Sequence, residues 1–220
     1  FKPLIESESE QEIADRRIRE LKNGLISRPP AGYFPTPDKL AEYIIKLAQI
    51  QPGHRVLEPE AGSGHIADAI HKFAGVWPDV IEIAPSLREI LKFKGYDPVH
   101  DDALAAAKDP NFRCQYDRIV MNPPWGKEYG EFGDIDHILA ATEMLRWDGR
   151  LVAIMCNNFT YRKEAKPTQF REWLEYLGSR RCAAIYEVED GAFNSSERRT
   201  GVKTKIVVID KKPSGYVVNY

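Results

Sequence analysis

Residues 119–125 read Ile-Val-Met-Asn-Pro-Pro-Trp, and this junction constrains the fold more than any other stretch of the chain. The apolar triplet Ile119-Val120-Met121 reads as a buried parallel strand. Two consecutive prolines cannot donate to a sheet ladder, so pairing stops there and the chain leaves the sheet. An amide side chain, a proline carbonyl and an aromatic ring are thereby gathered at the carboxyl edge of a sheet, where open α/β folds bind ligands. Other short apolar runs, at about 55–58, 80–83, 97–100 and 150–156, alternate with helical patterns. That alternation predicts a mostly parallel sheet with helices on both faces. The last two runs, about 182–189 and 203–210, have no helix between them and predict an antiparallel return at the sheet edge.

The helices follow from spacing and punctuation. Ala14, Ile18, Leu21 and Leu25 make the amino segment an amphipathic helix, ended by Gly24 and then Pro29-Pro30. Thr36 reads as an N-cap with Pro37 at the first helical position, and Leu40, Ile44, Leu47 and Ala48 as the buried face behind it. A further helix is expected from about His65 to Phe73. Another, at about 134–147, places Ile135, Ile138, Leu139, Thr142 and Leu145 on one face.

The tetrad Asn122, Pro123, Pro124 and Trp125 has two readings. In the first it merely ends a strand and packs its tryptophan. In the second it methylates a planar amino group, a poor nucleophile because its lone pair is delocalised into a ring. Asn122 Oδ1 and the Pro123 carbonyl can accept from the two N–H bonds and draw the amine toward a tetrahedral shape. Residues before proline are held extended, which stiffens Asn122 and Pro123. Trp125 offers a face on which a flipped-out base stacks.

Upstream, Arg55 to Gly64 reads RVLEPEAGSG, a short strand ending at Glu58 and a tight loop opening a helix. Gly62, Gly64 and Ala67 satisfy G-x-G-x-x-A, and Glu82 follows at the end of the next strand, so spacing alone also allows a dinucleotide. Glu58 and Glu60 would repel a diphosphate. S-adenosylmethionine has no phosphate and carries a positive sulfonium and ammonium, so the acidic loop favours it. Glu82 would accept from the ribose hydroxyls with either cofactor.

With these motifs in this order, the chain resembles the class I S-adenosylmethionine-dependent methyltransferases. Specifically, it looks like the adenine amino-methyltransferases with an Asn-Pro-Pro-aromatic motif, of the phage and mobile-element DNA N6-adenine type. The resemblance spans nearly everything after Gly32. It implies a Rossmann-like, seven-stranded, mostly parallel sheet with an antiparallel last strand. Residues 1–32 are then a helical extension, and 33–220 a single domain without a separate target-recognition domain. GYFPTPD at 32–38 resembles the amino-terminal cofactor segment, which brings in Phe34, Thr36 and Pro37. EPEAGSG adds Glu58, Pro59, Ala61, Gly62, Ser63 and Gly64, and the next strand end adds Glu82 and Ile83. HDDAL at 100–104 resembles the turn whose carboxylate accepts from the cofactor's adenine amine, a role carried to Asp102, with Asp101 second and Ala103 beside it. Asn122 also faces the cofactor. GAFNSSERRTGVKTKIVVID at 191–210 resembles the late loop and final strand, which places Phe193, Arg198, Arg199 and Lys203 beside the substrate. Phe193 either stacks on the base or packs under the loop. The three cations are expected to contact phosphate. Glu60 departs from the family, which has a small residue there.

Composition adds bounds. At 220 residues and 43% hydrophobic content, the chain can bury one α/β core. Cys114, Cys156 and Cys182 lack zinc spacing and read as reduced, mostly buried thiols of a cytoplasmic protein. No metal and no membrane are expected, since no run approaches the roughly 20 apolar residues of a span. His65, His71, His100 and His137 read as structural, Trp77 and Trp173 as core. The chain opens on Phe1 rather than methionine, so a trimmed start is expected. The expected partner is nucleic acid, most of all DNA, with relaxed sequence specificity or a partner subunit that supplies recognition. An RNA adenine methyltransferase, a protein glutamine methyltransferase and a non-catalytic cofactor-binding subunit stay open as alternatives.

Overall fold

A computed structural model describes residues 9–125, 130–196 and 200–212. Seven strands form one sheet: β1 (Val56–Glu58), β2 (Asp79–Ile81), β3 (Pro98–His100), β4 (Tyr116–Met121), β5 (Leu145–Cys156), β6 (Ala183–Glu187) and β7 (Thr204–Asp210). Their order is β3-β2-β1-β4-β5-β7-β6, with β7 antiparallel to both β5 and β6 and every other pair parallel. The helices are α1 (Glu10–Ser27), α2 (Asp38–Ala48), α3 (His65–Ala74), α4 (Pro85–Phe93), α5 (Ala103–Ala106), α6 (Gly133–Met144) and α7 (Ala165–Ser179).

Alternate strand residues feed opposite layers, as the two-residue pleat requires. Ile119 and Met121 of β4, with Leu151 and Ala153 of β5, pack under α5, α6 and α7. Val120, Val152, Ile154 and Ile206 point the other way, onto Leu40, Ile44 and Ala48 of α2 and Ile66 and Ile70 of α3. All of these side chains are buried, and each Val, Leu, Ile or Met among them is worth about 1.5–3 kcal/mol against exposure. On α1, Ser9 and Glu12 form a reciprocal capping box, and Ile18, Leu21 and Leu25 lie with Leu87 and Ile90 of α4.

The sheet fixes where a ligand goes. Strand order reverses between β1 and β4, whose pairing sets Leu57 opposite Ile119. Both strands therefore end at one edge, at a topological switch point of the kind where α/β sheets open a crevice.

Several elements differ from the sequence expectation. The first helix passes through Gly24 and ends at Ser27, because its apolar face is held against α4. α6 stops at Met144, and β5 starts at once, since Leu145 already pairs with Tyr116 of β4. Thr36 does not cap α2; Pro37 is the extended residue before the helix (φ −61, ψ 146), with no side-chain cap. Trp77 is 56% exposed rather than core, lying over His71 and Tyr96 at centroid distances of 4.0 and 5.1 Å. Trp173 is only partly buried, at the rim of the core. Cys114 is exposed, while Cys182 is buried.

Candidate active site

One cleft opens at the switch point, enclosing about 950 Å³ with its open mouth included. It is lined by the carboxyl end of β1 and the loop after it, by the ends of β2 and β4, and by segment 30–36. Of the residues expected at a cofactor site, Phe34, Thr36, Glu58, Pro59, Ala61, Gly62, Ser63, Glu82, Ile83, Asp102, Ala103 and Asn122 line it. Pro37 and Gly64 do not; Pro37 begins the turn into α2, and Gly64 is the left-handed residue (φ 86) before α3.

The glycine loop is tight for a visible reason. Gly62 has φ 56, and a Cβ there would meet the Tyr33 ring at 3.3 Å. Tyr33 in turn shares a 2.8 Å hydrogen bond with Ser63, so segment 30–36 is tied to the loop. The Gly62 and Ala84 amides each donate to Glu82 at 2.7 Å. Burial lifts the Glu82 pKa to about 7, against those two donors, which favour the anion. Glu58 is 1% exposed, and burial pushes it well above the carboxylate range against a single amide from Ala67. Asp102 caps α5, accepting from Leu104 and Ala105 at 2.8 and 3.0 Å. Its neighbour Asp101 points to solvent and pairs with His100, which decides between the two for a place in the cleft.

His137, read from the sequence as structural, lies at the cleft. Its Nδ1 lies 2.7 Å from Glu60 Oε1, both side chains are largely buried, and both line the cleft. Burial would lower the His137 pKa, but the carboxylate bonded to it outweighs that and raises it. Burial raises Glu60 as well. The only hint in the sequence was the unusual acid at position 60.

The tetrad is placed differently from the expectation. Asn122 is at the cleft, its Nδ2 donating to the Phe34 carbonyl at 2.9 Å and to Thr36 Oγ1 at 3.1 Å. Its Oδ1 accepts from the Trp125 indole N–H at 3.0 Å. Trp125 is only 6% exposed and offers no open face toward the cleft. Phe34 stacks on it at 4.5 Å and 7°, and Phe193 meets it edge-on at 5.8 Å. Phe193 itself is buried in the layer beneath, so of its two readings the packing one describes its place here. Pro123 is buried, whereas Pro124 lines the cleft. Arg198 and Arg199 lie outside the described residues. Lys203 is exposed, away from the cleft, and paired with Asp190 at 2.7 Å. Among the described residues no group of three or more His, Cys, Asp or Glu is placed to hold a metal, and no helix is long and apolar enough to cross a membrane.

No family model matches the chain. Over 128 residues, 52% of its length, it is 33% identical to a tRNA (guanine(6)-N2)-methyltransferase of Thermus thermophilus, of which it covers 38%. The modification subunit of a protein assigned as a type I restriction enzyme of Vibrio vulnificus superposes at TM-score 0.66 and 15% identity, covering 94% of this chain and 51% of that one. A Listeria monocytogenes protein assigned to the class I S-adenosylmethionine-dependent methyltransferases superposes at TM-score 0.63 and 10% identity, covering 97% of this chain and 72% of the other. The chain thus spans about half or less of the first two. Its strand order, its antiparallel β7 and its crevice at the β1/β4 switch point are those of the class I S-adenosylmethionine-dependent methyltransferase fold.

Proposed function

We propose that the chain binds S-adenosylmethionine in this cleft and methylates an exocyclic amino group of a nucleic-acid base, adenine N6 of DNA being the leading reading. The observation that carries it is Asn122, whose side-chain amide is held by three hydrogen bonds at the end of β4, over a cleft floored with carboxylates. The cleft suits a phosphate-free cationic nucleoside. Two buried carboxylate oxygens, Glu58 Oε2 and Glu60 Oε2, have no partner among the described residues and await a donor or a positive charge. Glu82 would hold the ribose hydroxyls, Asp102 the adenine amine, and the Gly62-Ser63 backbone would border the nucleoside. When bound, the cofactor supplies a methyl group activated by its sulfonium.

The chain's own contribution is positioning. Asn122 Oδ1 keeps a second lone pair beside the one given to Trp125, and the Pro123 carbonyl is the other acceptor for the target amine. As these bonds strengthen, the amine lone pair is freed and forms the new C–N bond in line with the departing thioether. The proton leaves after attack, so no strong general base is required. For the base to stack on Trp125, Phe34 must vacate its face. Sequence specificity is relaxed over a short context, or recognition comes from a partner subunit.

A second reading is methylation of a guanine amine in RNA, which the identity to a tRNA (guanine(6)-N2)-methyltransferase favours. One experiment separates them. Tritiated-methyl transfer to DNA and RNA pools, followed by nucleoside mass spectrometry, yields N6-methyladenine in DNA on the first reading and N2-methylguanine in RNA on the second. Transfer to neither pool refutes both.

A further inference from the structure

We propose that Glu60 is an additional recognition point for the adenosyl part of the cofactor, and that His137 is the residue that positions it. This deepens the reading above and rests on it. Glu60 Oε1 is engaged by His137 Nδ1 at 2.7 Å, while Oε2 is buried without a partner although the side chain lines the cleft. A buried carboxylate oxygen left unpaired is costly, so an orphan at a ligand cleft points to a donor that arrives with the ligand. The nearby acceptors already share their oxygens: each Glu82 oxygen accepts one backbone amide and Asp102 Oδ1 accepts two. Glu60 interacts electrostatically with both of them, so it lies in the adenosine-facing part of the cleft. Adenosine offers two ribose hydroxyls and two amine hydrogens, more donors than Glu82 and Asp102 need absorb alone.

The surroundings explain why a second partner is required. Glu58 on β1, Glu82 beyond β2 and Asp102 before α5 are negative neighbours, and Asp136 adds another beside His137 on α6. Lys94 acts on Glu58 and Arg88 on Glu82, but neither lines the cleft. His137 does line it, set to hold Glu60 in place: burial raises Glu60 against the pull of His137, and the Glu60 carboxylate raises His137 against burial.

The test is calorimetric titration of S-adenosylhomocysteine and of 5′-methylthioadenosine, which lacks the amino-acid end, into wild type, Glu60→Ala, Glu60→Gln and His137→Ala. Glu60→Ala should weaken both ligands about tenfold or more, the loss expected for one charge-assisted hydrogen bond. Glu60→Gln can offer an oxygen to the ligand only by turning its amide toward His137, so it should fall between. Thermal unfolding of ligand-free Glu60→Gln should show no loss of stability, because a buried unpaired oxygen has been neutralised; a merely structural glutamate would lose stability and affinity together. Protons released on binding, measured in buffers of different ionisation heat, should fall in Glu60→Gln but not in His137→Ala, which keeps the Glu60 carboxyl and loses affinity only through its position. Equal affinity of wild type and Glu60→Ala overturns the proposal while leaving the cofactor assignment intact. Failure of both nucleosides to bind wild type refutes the assignment and this inference with it.

Discussion

Asn122→Ala should damage stability as well as turnover, and the size of both effects can be worked from its contacts. The substitution removes the bonds to the Phe34 carbonyl, Thr36 Oγ1 and the Trp125 indole. Thr36 is 3% exposed and Trp125 6%, so water replaces these partners poorly. Two ordinary bonds at about 0.5–1.5 kcal/mol each, plus a buried donor left unsatisfied at about 1–3, give roughly 2–6 kcal/mol. For a domain of this size that lowers the melting temperature by roughly 4–24 °C. Turnover, assayed well below the new melting point, should fall a further 10²–10³-fold or so, as for loss of one preorganised transition-state partner. Thr36→Val separates the two effects. It removes one of the three bonds and should cost about 1 kcal/mol with little change in the chemical step. The assays are circular-dichroism melting and methyl transfer at saturating substrate. An unchanged melting temperature in Asn122→Ala would refute the network; near wild-type turnover would remove the tetrad from the chemistry.

Other outcomes follow from the same geometry. The folded protein holds a proton on Glu82 up to about pH 7 where the unfolded chain releases it near 4.5, so this group's contribution is present below 4.5 and lost as pH rises through 7. Ligand-free stability should therefore decline across that window, by up to about 3 kcal/mol from Glu82 alone, and denaturant titrations of Glu82→Gln should show a flatter decline. Asp190→Asn frees Lys203 from its 2.7 Å ion pair; if that loop meets phosphate, the salt dependence of DNA binding should steepen by up to about one unit of log–log slope, and an unchanged slope returns Lys203 to ordinary surface. Phe34→Ala uncovers the Trp125 face, so the Michaelis constant for the nucleic acid should fall and acrylamide should quench more of the tryptophan emission; no change in either would show that the stack does not compete with the base.

Much of the scaffold could be read in one dimension because burial is periodic. Ile119, Val120 and Met121 mark a strand by being apolar in succession, and Pro123-Pro124 end it by lacking donors; neither depends on what lies opposite. The loop chemistry at Gly62 was legible for the same reason, since a left-handed φ of 56 is a local demand that glycine meets. Glu58, Glu82 and Asp102 could be placed at strand or helix ends, which a parallel sheet brings to one edge. Spacing could not show how distant side chains pair. Asn122 finds Thr36 across 86 residues, and His137 finds Glu60 across 77. Those unions depend on the crossing of segment 30–36 over β4 and of α6 beside β1, which no local period encodes. Side-chain direction after the prolines was equally hidden: Trp125 turned inward because Phe34 covers its face and Asn122 takes its N–H. Trp77 failed the opposite way, since an aromatic in the loop between α3 and β2 looks apolar in sequence, yet it stays more than half exposed beside His71 and Tyr96. Local chemistry along the chain thus determined the elements and the edge where they meet, whereas the packing of remote elements decided which polar atoms there are paired and which still await a ligand.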